Sequence, residues 1–120
     1  MRHQKRGRKF GRIRKQRRAL LKTMLGSLIM KEKIKTTQAK AKELKSKVDK
    51  IINKAKKSKI KEKKLSIIRE LKKEIPDMAI GKLMGAFLEK FDNKSGGYAR
   101  VIKLERRKSD GAEMAIIELV

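Results

Sequence analysis

The stretch Lys33-Ile34-Lys35-Thr36-Thr37-Gln38-Ala39-Lys40-Ala41-Lys42-Glu43-Leu44 joins two unlike patterns, and the rest of the chain is read outward from that join. Its first five residues are few, with β-branched side chains at 34, 36 and 37, and predict a brief strand or extended link. From Gln38 to Lys57 the apolar set is Ala41, Leu44, Val48, Ile51 and Ala55, whose spacings of 3, 4, 3 and 4 make a seam along one helix face. Thr37, at the join, is a candidate N-cap, since its hydroxyl can accept from the first free N–H groups. Thr36 and Thr37 with Lys40 and Lys42 could equally set donors at a helix N-terminus where an anion would bind. One geometry can serve both.

Upstream, Leu20/Leu21, Met24/Leu25 and Leu28/Ile29 recur every four residues and predict a helix from about Arg14 to Lys31. Gly26 inside it carries a small helix cost, and close packing would explain it. Downstream, a break near Lys56–Lys59 precedes a shorter helix with Ile60, Leu65, Ile68 and Leu71 as its apolar set. Pro76 is the only proline; Asp77 after it is a candidate cap for a helix using Ile80, Leu83/Met84, Phe87/Leu88 and Phe91. Asp92-Asn93-Lys94-Ser95-Gly96-Gly97 is a loop. Tyr98 to about Arg106 and Met114 to Val120 flank Lys108-Ser109-Asp110-Gly111 and predict an antiparallel hairpin. Met24, Met30, Met78, Met84 and Met114 are expected to fill the core. The expectation is an α+β fold of order α-β-α-α-α-β-β, helices packed on a small three-stranded sheet. Residues 14–120 would form that two-layer domain, and residues 1–13, too poor in apolar side chains to order alone, an extended basic arm.

Charge decides what such a fold can meet. Among 120 residues, 37 are Lys or Arg and 13 are Asp or Glu, a formal charge of +24. Like charge at that density repels itself until a polyanion neutralises it, and nucleic acid is the first candidate. Arg2, Lys5, Arg6, Arg8, Lys9, Arg12, Arg14, Lys15, Arg17, Arg18 and Lys22 occur before any acid does. Seven of the eleven arginines fall in that stretch, whereas the middle of the chain is almost purely Lys. Guanidinium grips phosphate with a planar fork while ammonium is a hydrated point charge, so the Arg-rich end is expected to make contact and much of the Lys-rich body to face water.

Other residues leave two roles open. His3 can stack on a base or donate to phosphate, or be an incidental polar residue of a tail. Gly96 and Gly97 allow close approach of backbone to RNA with Tyr98 and Arg100 alongside; alternatively they stop a helix and Tyr98 enters the core. The aromatic residues number four, Phe10, Phe87, Phe91 and Tyr98, too few for a platform that stacks single-stranded bases. Recognition of shape and phosphate pattern in a folded RNA is expected instead.

Composition also excludes. Without Cys there is neither a disulfide framework nor a Cys-ligated metal site. A single His, His3, and no cluster of carboxylates leave a metal site, a nuclease centre or any other catalytic site without its residues. No apolar run approaches the roughly 18 residues of a membrane span, and the first residues lack the apolar core of a secretory signal. A membrane-active cationic helix would need its apolar face free for lipid, but these seams point to one shared core. A histone-like DNA compactor remains compatible with composition alone.

Five blocks are more specific. Met1-Arg2-His3-Gln4-Lys5-Arg6-Gly7-Arg8-Lys9-Phe10-Gly11-Arg12, Arg18-Ala19-Leu20-Leu21, Thr36 to Leu44, Gly96-Gly97-Tyr98-Ala99-Arg100-Val101-Ile102-Lys103 and Ile117-Glu118-Leu119-Val120 occur in the order and spacing of one family. Together they span nearly the whole chain, which resembles the bacterial large-subunit ribosomal protein family L-seventeen. Gln4 stands where that family usually has Arg, and residues 57–76 are not diagnostic. The resemblance implies a two-layer domain and a structural protein, not an enzyme, that binds folded large-subunit ribosomal RNA beside neighbouring ribosomal proteins in the cytoplasm. It implies neither cofactor nor small-molecule substrate. The RNA contacts expected from the residues and the resemblance together are the basic set from Arg2 to Lys22, His3, Thr37, Lys40, Gly96, Gly97, Tyr98 and Arg100.

Replacing Leu25 or Leu44 by Asp is expected to abolish cooperative unfolding, because each would bury an unpaired carboxylate in an apolar seam. A full native melting transition by circular dichroism in either variant would contradict the helix faces assigned above.

Overall fold

The computed structural model describes residues 11, 13–58 and 61–120. The expected arm, apart from Gly11 and Ile13, and Ile60 of the third helix's apolar set lie outside the described residues. The first helix, α1, spans Arg14–Lys31, and the strand β1, Lys33–Thr37, leads directly into α2, Gln38–Lys57. Next come α3, Lys61–Leu71, α4, Asp77–Leu83, a 3-10 helix, Ala86–Phe91, and the strands β2, Ala99–Lys103, and β3, Met114–Leu119. This is the α+β order expected.

The three strands form one antiparallel sheet in the order β1-β3-β2. The most apolar strand takes the centre: Ala115 and Ile117 of β3 are fully buried beneath the helices. Lys33 and Lys35 put charge on the edge strand β1, which discourages pairing with another chain. On the sheet face away from the core, Lys33, Glu118 and Arg100 lie in one cross-strand row. Both cations there turn to Glu118, Arg100 at 2.6 Å and Lys33 at 4.0 Å.

α1 and α2 pack on the other face of the sheet, and α4 lies against α1. Leu21, Leu25, Leu28 and Ile29 of α1 meet Ala41, Leu44, Val48, Ile51, Ile52 and Ala55 of α2 in one apolar cluster. Fully burying a Leu or Ile side chain is worth about 1.5–3 kcal/mol, so these two seams dominate the energetics. Gly26 sits where α1 meets the α3–α4 connection. A Cβ built there would lie 2.7 Å from both Cγ and Cδ of Pro76, so only glycine permits this approach.

The end of α1 is tied down by charge. Glu32 adopts the left-handed conformation at φ 64° while its N–H donates to the Leu28 carbonyl at 2.7 Å. Its carboxylate accepts from Lys90 at 2.7 Å and from Lys82 at 3.2 Å, and Lys82 also donates to the Met30 carbonyl at 2.9 Å. The Lys90 bond first, and then that of Lys82, holds the Glu32 carboxyl below its ordinary pKa. Both ammonium groups lie over the Phe87 ring, at 4.8 Å and 5.3 Å from its centroid.

Several local expectations are corrected. The helix foreseen across residues 77–91 is two: α4 stops at Leu83, Gly85 is extended, and a 3-10 helix follows. The break turns Phe87 and Phe91 inward, edge to face at 5.4 Å, with Phe91 in turn edge to face with Tyr98 at 5.3 Å. Pro76, not Asp77, occupies the N-cap of α4. Leu65 is 61% exposed, and Ile67 is buried on α3 together with Leu71, since Ile67, four residues before Leu71, shares its face. Met30 and Met78 are exposed, so they do not fill the core. The hairpin strands are shorter than foreseen: after Leu104 donates to Met114, the chain leaves the ladder into a loop closed by an Arg107–Asp110 ion pair.

Gly26→Ala should destabilise the protein, because overpacking costs about 1–3 kcal/mol against a helix-propensity gain of about 1 kcal/mol. Pro76→Ala removes Cγ and Cδ but keeps the carbonyl that accepts from Ala79 and Ile80. In that background Gly26→Ala should become neutral or stabilising. A double-mutant cycle by urea unfolding reads this coupling; additive effects would contradict the contact.

Candidate nucleic-acid interface

The apolar seam of α2 has a companion. Lys47, Lys50, Lys54 and Lys57 repeat the spacing 3, 4, 3 one position before Val48, Ile51, Ala55 and Ser58. Burial of the seam therefore places the lysines along its border. On α1, Arg14, Arg18 and Lys22 follow at intervals of four and form a second basic stripe. When the seams pack, Arg18 and Lys22 come to line the same cleft as the four lysines of α2. Lys73 and Glu74, from the connection after α3, close it. The cleft is about 650 Å³, with Leu21, Leu25 and Ile51 beneath it and Asn53 on its wall.

Seven cations thus share this cleft with one acid, Glu74. Lys54 pairs with Glu74 at 3.4 Å, and among the described residues none of the other six cations is in an ion pair. A concave surface lined by one sign of charge concentrates its field outward and draws in a polyanion. A smaller hollow of about 400 Å³ lies beside α1 and β1, lined by Thr23, Ser27, Lys31, Lys33, Lys35 and Thr36 among others. Among the described residues that line it there is no acid.

The residues singled out in the sequence divide three ways. Arg2, His3, Lys5, Arg6, Arg8, Lys9 and Arg12 lie outside the described residues. Arg14, Lys15 and Arg18 are exposed on the first turns of α1, with Arg17 and Lys22 half-buried. The third group lies farther along the chain, at the start of α2, in the loop before β2 and on β2. Thr37 is the N-cap residue of α2 but makes no side-chain cap hydrogen bond. The first N–H of that helix, Gln38, instead donates to the Glu113 carbonyl at 2.8 Å, fastening α2 to the start of β3. Lys40 is half-buried one turn on.

Of the two roles left open at Gly96, Gly97 and Tyr98, the fold shows the one in which Tyr98 enters the core. Gly97 takes a left-handed φ of 65°, and the Gly97 and Tyr98 N–H groups donate to the Asp49 carboxylate at 3.4 Å and 3.1 Å. A carboxylate therefore holds the donors that a phosphate would have needed. Tyr98 is fully buried. Its hydroxyl donates to Asn53 Oδ1 at 2.6 Å and accepts from Lys56 Nζ at 2.8 Å, with the Lys94 carbonyl at 3.0 Å. Lys56 Nζ also lies 4.6 Å from the centre of the Tyr98 ring. With no exposed ring face, Tyr98 cannot stack on a base. It touches the cleft only through Asn53, whose position it fixes. Arg100 is exposed, but its guanidinium donates twice to Glu118 Oε1, at 2.9 Å and 2.6 Å.

Lys47, Lys50, Lys54, Lys57 and Lys73 were not singled out in the sequence, where much of the Lys-rich body was expected to face water. The signal was present in the spacing, since a lysine row in phase with an apolar seam must border whatever the seam packs on. Among the described residues no group of three or more His, Asp or Glu could hold a metal ion, and no helix is long and apolar enough to cross a membrane.

This is a small helix-on-sheet fold whose seams bring seven cations to one cleft, a surface with the charge a polyanion would need. Comparison with known proteins narrows this. The profile of the family described as Ribosomal protein L17 matches residues 20–120. A protein of Rubrobacter xylanophilus named large ribosomal subunit protein bL17 is 43% identical over 121 residues, covering 100% of this chain and 96% of its own length. Proteins of the same name from Staphylococcus haemolyticus and Staphylococcus carnosus are each 40% identical, covering 94% of this chain and 97% and 98% of their own. The chain belongs to the Ribosomal protein L17 family, a structural and non-enzymatic component of the ribosome.

Tyr98→Phe should lower stability by about 1–2 kcal/mol, because it strips partners from Asn53 and Lys56, while leaving affinity for ribosomal RNA within about twofold, as expected of a group with no exposed surface. Urea unfolding and filter binding measure the two. A large affinity loss at unchanged stability would return Tyr98 to the interface.

Proposed function

We propose that this chain is a structural constituent of the large ribosomal subunit that binds folded large-subunit ribosomal RNA and holds it in shape. The observation that carries this reading is the convergence of the α1 and α2 basic stripes on one cleft, in a chain of this family. Contact is made by a basic helical surface together with the arm, residues 1–13, which precedes a single domain of residues 14–120. The arm threads between RNA helices and neutralises phosphates that would otherwise repel one another. Each phosphate contact releases condensed counterions, so binding weakens with salt by a log–log slope of roughly −0.9 per contact on a duplex. The buried state of Phe87, Phe91 and Tyr98 supports recognition of shape and phosphate over base stacking. Neighbouring large-subunit proteins complete the surroundings, in the cytoplasm, without cofactor or small-molecule substrate.

Sedimentation of the tagged protein through a sucrose gradient, after moderate- and then high-salt washes, tests this. The expected result is co-migration with the large subunit that survives moderate salt. Migration with bulk DNA, or release at modest salt to the top of the gradient, would overturn it. A chain lacking residues 1–18 should keep its folded circular dichroism signal and bind ribosomal RNA much more weakly; unchanged affinity would remove the arm from the interface.

A further inference from the structure

We infer that the α1–α2 cleft is a dedicated seat for a run of successive phosphates on one strand of a folded RNA, gripped by α2 lysines from one side and α1 cations from the other. The inference rests on the RNA-binding reading above and adds where and how the backbone is held. Three observations carry it. The lysines of α2 from Lys47 to Lys57 rise about 15 Å along the helix on one face, enough to follow several phosphates and too far to serve one small anion. Arg18 and Lys22 face them from α1, and Lys73 closes the cleft from a third segment, so cations surround the seat. The single acid, Glu74, is already paired with Lys54, leaving Arg18, Lys22, Lys47, Lys50, Lys57 and Lys73 without an acidic partner among the described residues.

The floor favours a backbone over bases. Leu21, Leu25 and Ile51 are almost fully buried and offer neither hydrogen-bond donors nor acceptors from their side chains. Among the described residues no aromatic side chain lines the cleft, so a flipped-out base would find none of them to stack on. Phosphates, by contrast, need only cations at the rim. Helical register makes this a property of the site: on one helix face the lysines hold a fixed spacing, whereas scattered surface charge would not track a strand.

The test compares two triple variants of the full chain binding to deproteinised, refolded large-subunit ribosomal RNA across a salt series. Lys47→Gln, Lys50→Gln and Lys57→Gln together empty one wall of the cleft. Lys45→Gln, Lys64→Gln and Lys108→Gln remove the same charge from exposed positions outside it. If the cleft is the seat, the first variant loses roughly 2–2.7 from the magnitude of the log–log salt slope and the second loses less than half as much. Equal losses in the two variants would overturn the inference, reducing the lysines to bulk charge. An unchanged slope in the first variant would also overturn it, while tight binding by the wild type leaves the RNA-binding reading standing. Failure of the wild-type chain to bind that RNA would remove both. Matching circular dichroism melts of the three proteins keep folding out of the comparison.

Discussion

The requirement that apolar seams be buried while cations stay hydrated shapes every element of this chain. With 37 cations against 13 anions, almost any arrangement that buries one side of a helix forces Lys and Arg onto the border of that side. α2 shows the result most directly, since its seam and its lysine row share one period. Packing the seam against α1 is what draws the two basic stripes together. Self-repulsion across the cleft is thus a by-product of core formation, and the hydrophobic contribution of the seams has to exceed it. The few acids are placed where repulsion would otherwise open the fold: Glu32 between Lys82 and Lys90, Glu118 between Arg100 and Lys33, Glu74 against Lys54.

Periodic features were legible from sequence, and features that depend on contacts distant in the chain were not. The bounds of α1, β1 and α2 follow from repeats of apolar or β-branched residues, which burial enforces locally. Gly26 could be read as a close approach, but nothing local says that Pro76, fifty residues away, is what approaches. The α4 break escapes the pattern because Ile80, Leu83, Phe87 and Phe91 keep helical spacing across it. What interrupts the helix is Gly85 and the need of Phe91 to reach Tyr98, and only the second is tertiary.

The candidate site was half legible for the same reason. Arg14 and Arg18 stand out because arginine is scarce elsewhere, and Lys22 because it belongs to the same acid-free stretch. The α2 lysines were hidden by abundance: in a run where most polar positions are Lys, composition cannot say which of them face an enclosed surface. Gly96, Gly97 and Tyr98 left two roles open that local sequence could not decide between. Their chemistry suits RNA, yet Asp49, Asn53 and Lys56 on α2 take up the same donors and the same hydroxyl. A carboxylate at Asp49 inside a lysine-rich helix is a hint in the sequence that this loop is fastened inward.

The burial of Tyr98 has an optical consequence. The chain has one Tyr and no Trp, so nearly all of its near-ultraviolet absorbance and emission arises from one phenol. That phenol sits between α2 and the loop at residues 92–97, with its hydroxyl bonded to Asn53 and Lys56. Its spectrum is therefore a single-site gauge of whether this junction is closed. Loosening of the loop would register in it, giving the protein a built-in chromophore whose hydroxyl is bonded to Asn53 of the cleft wall.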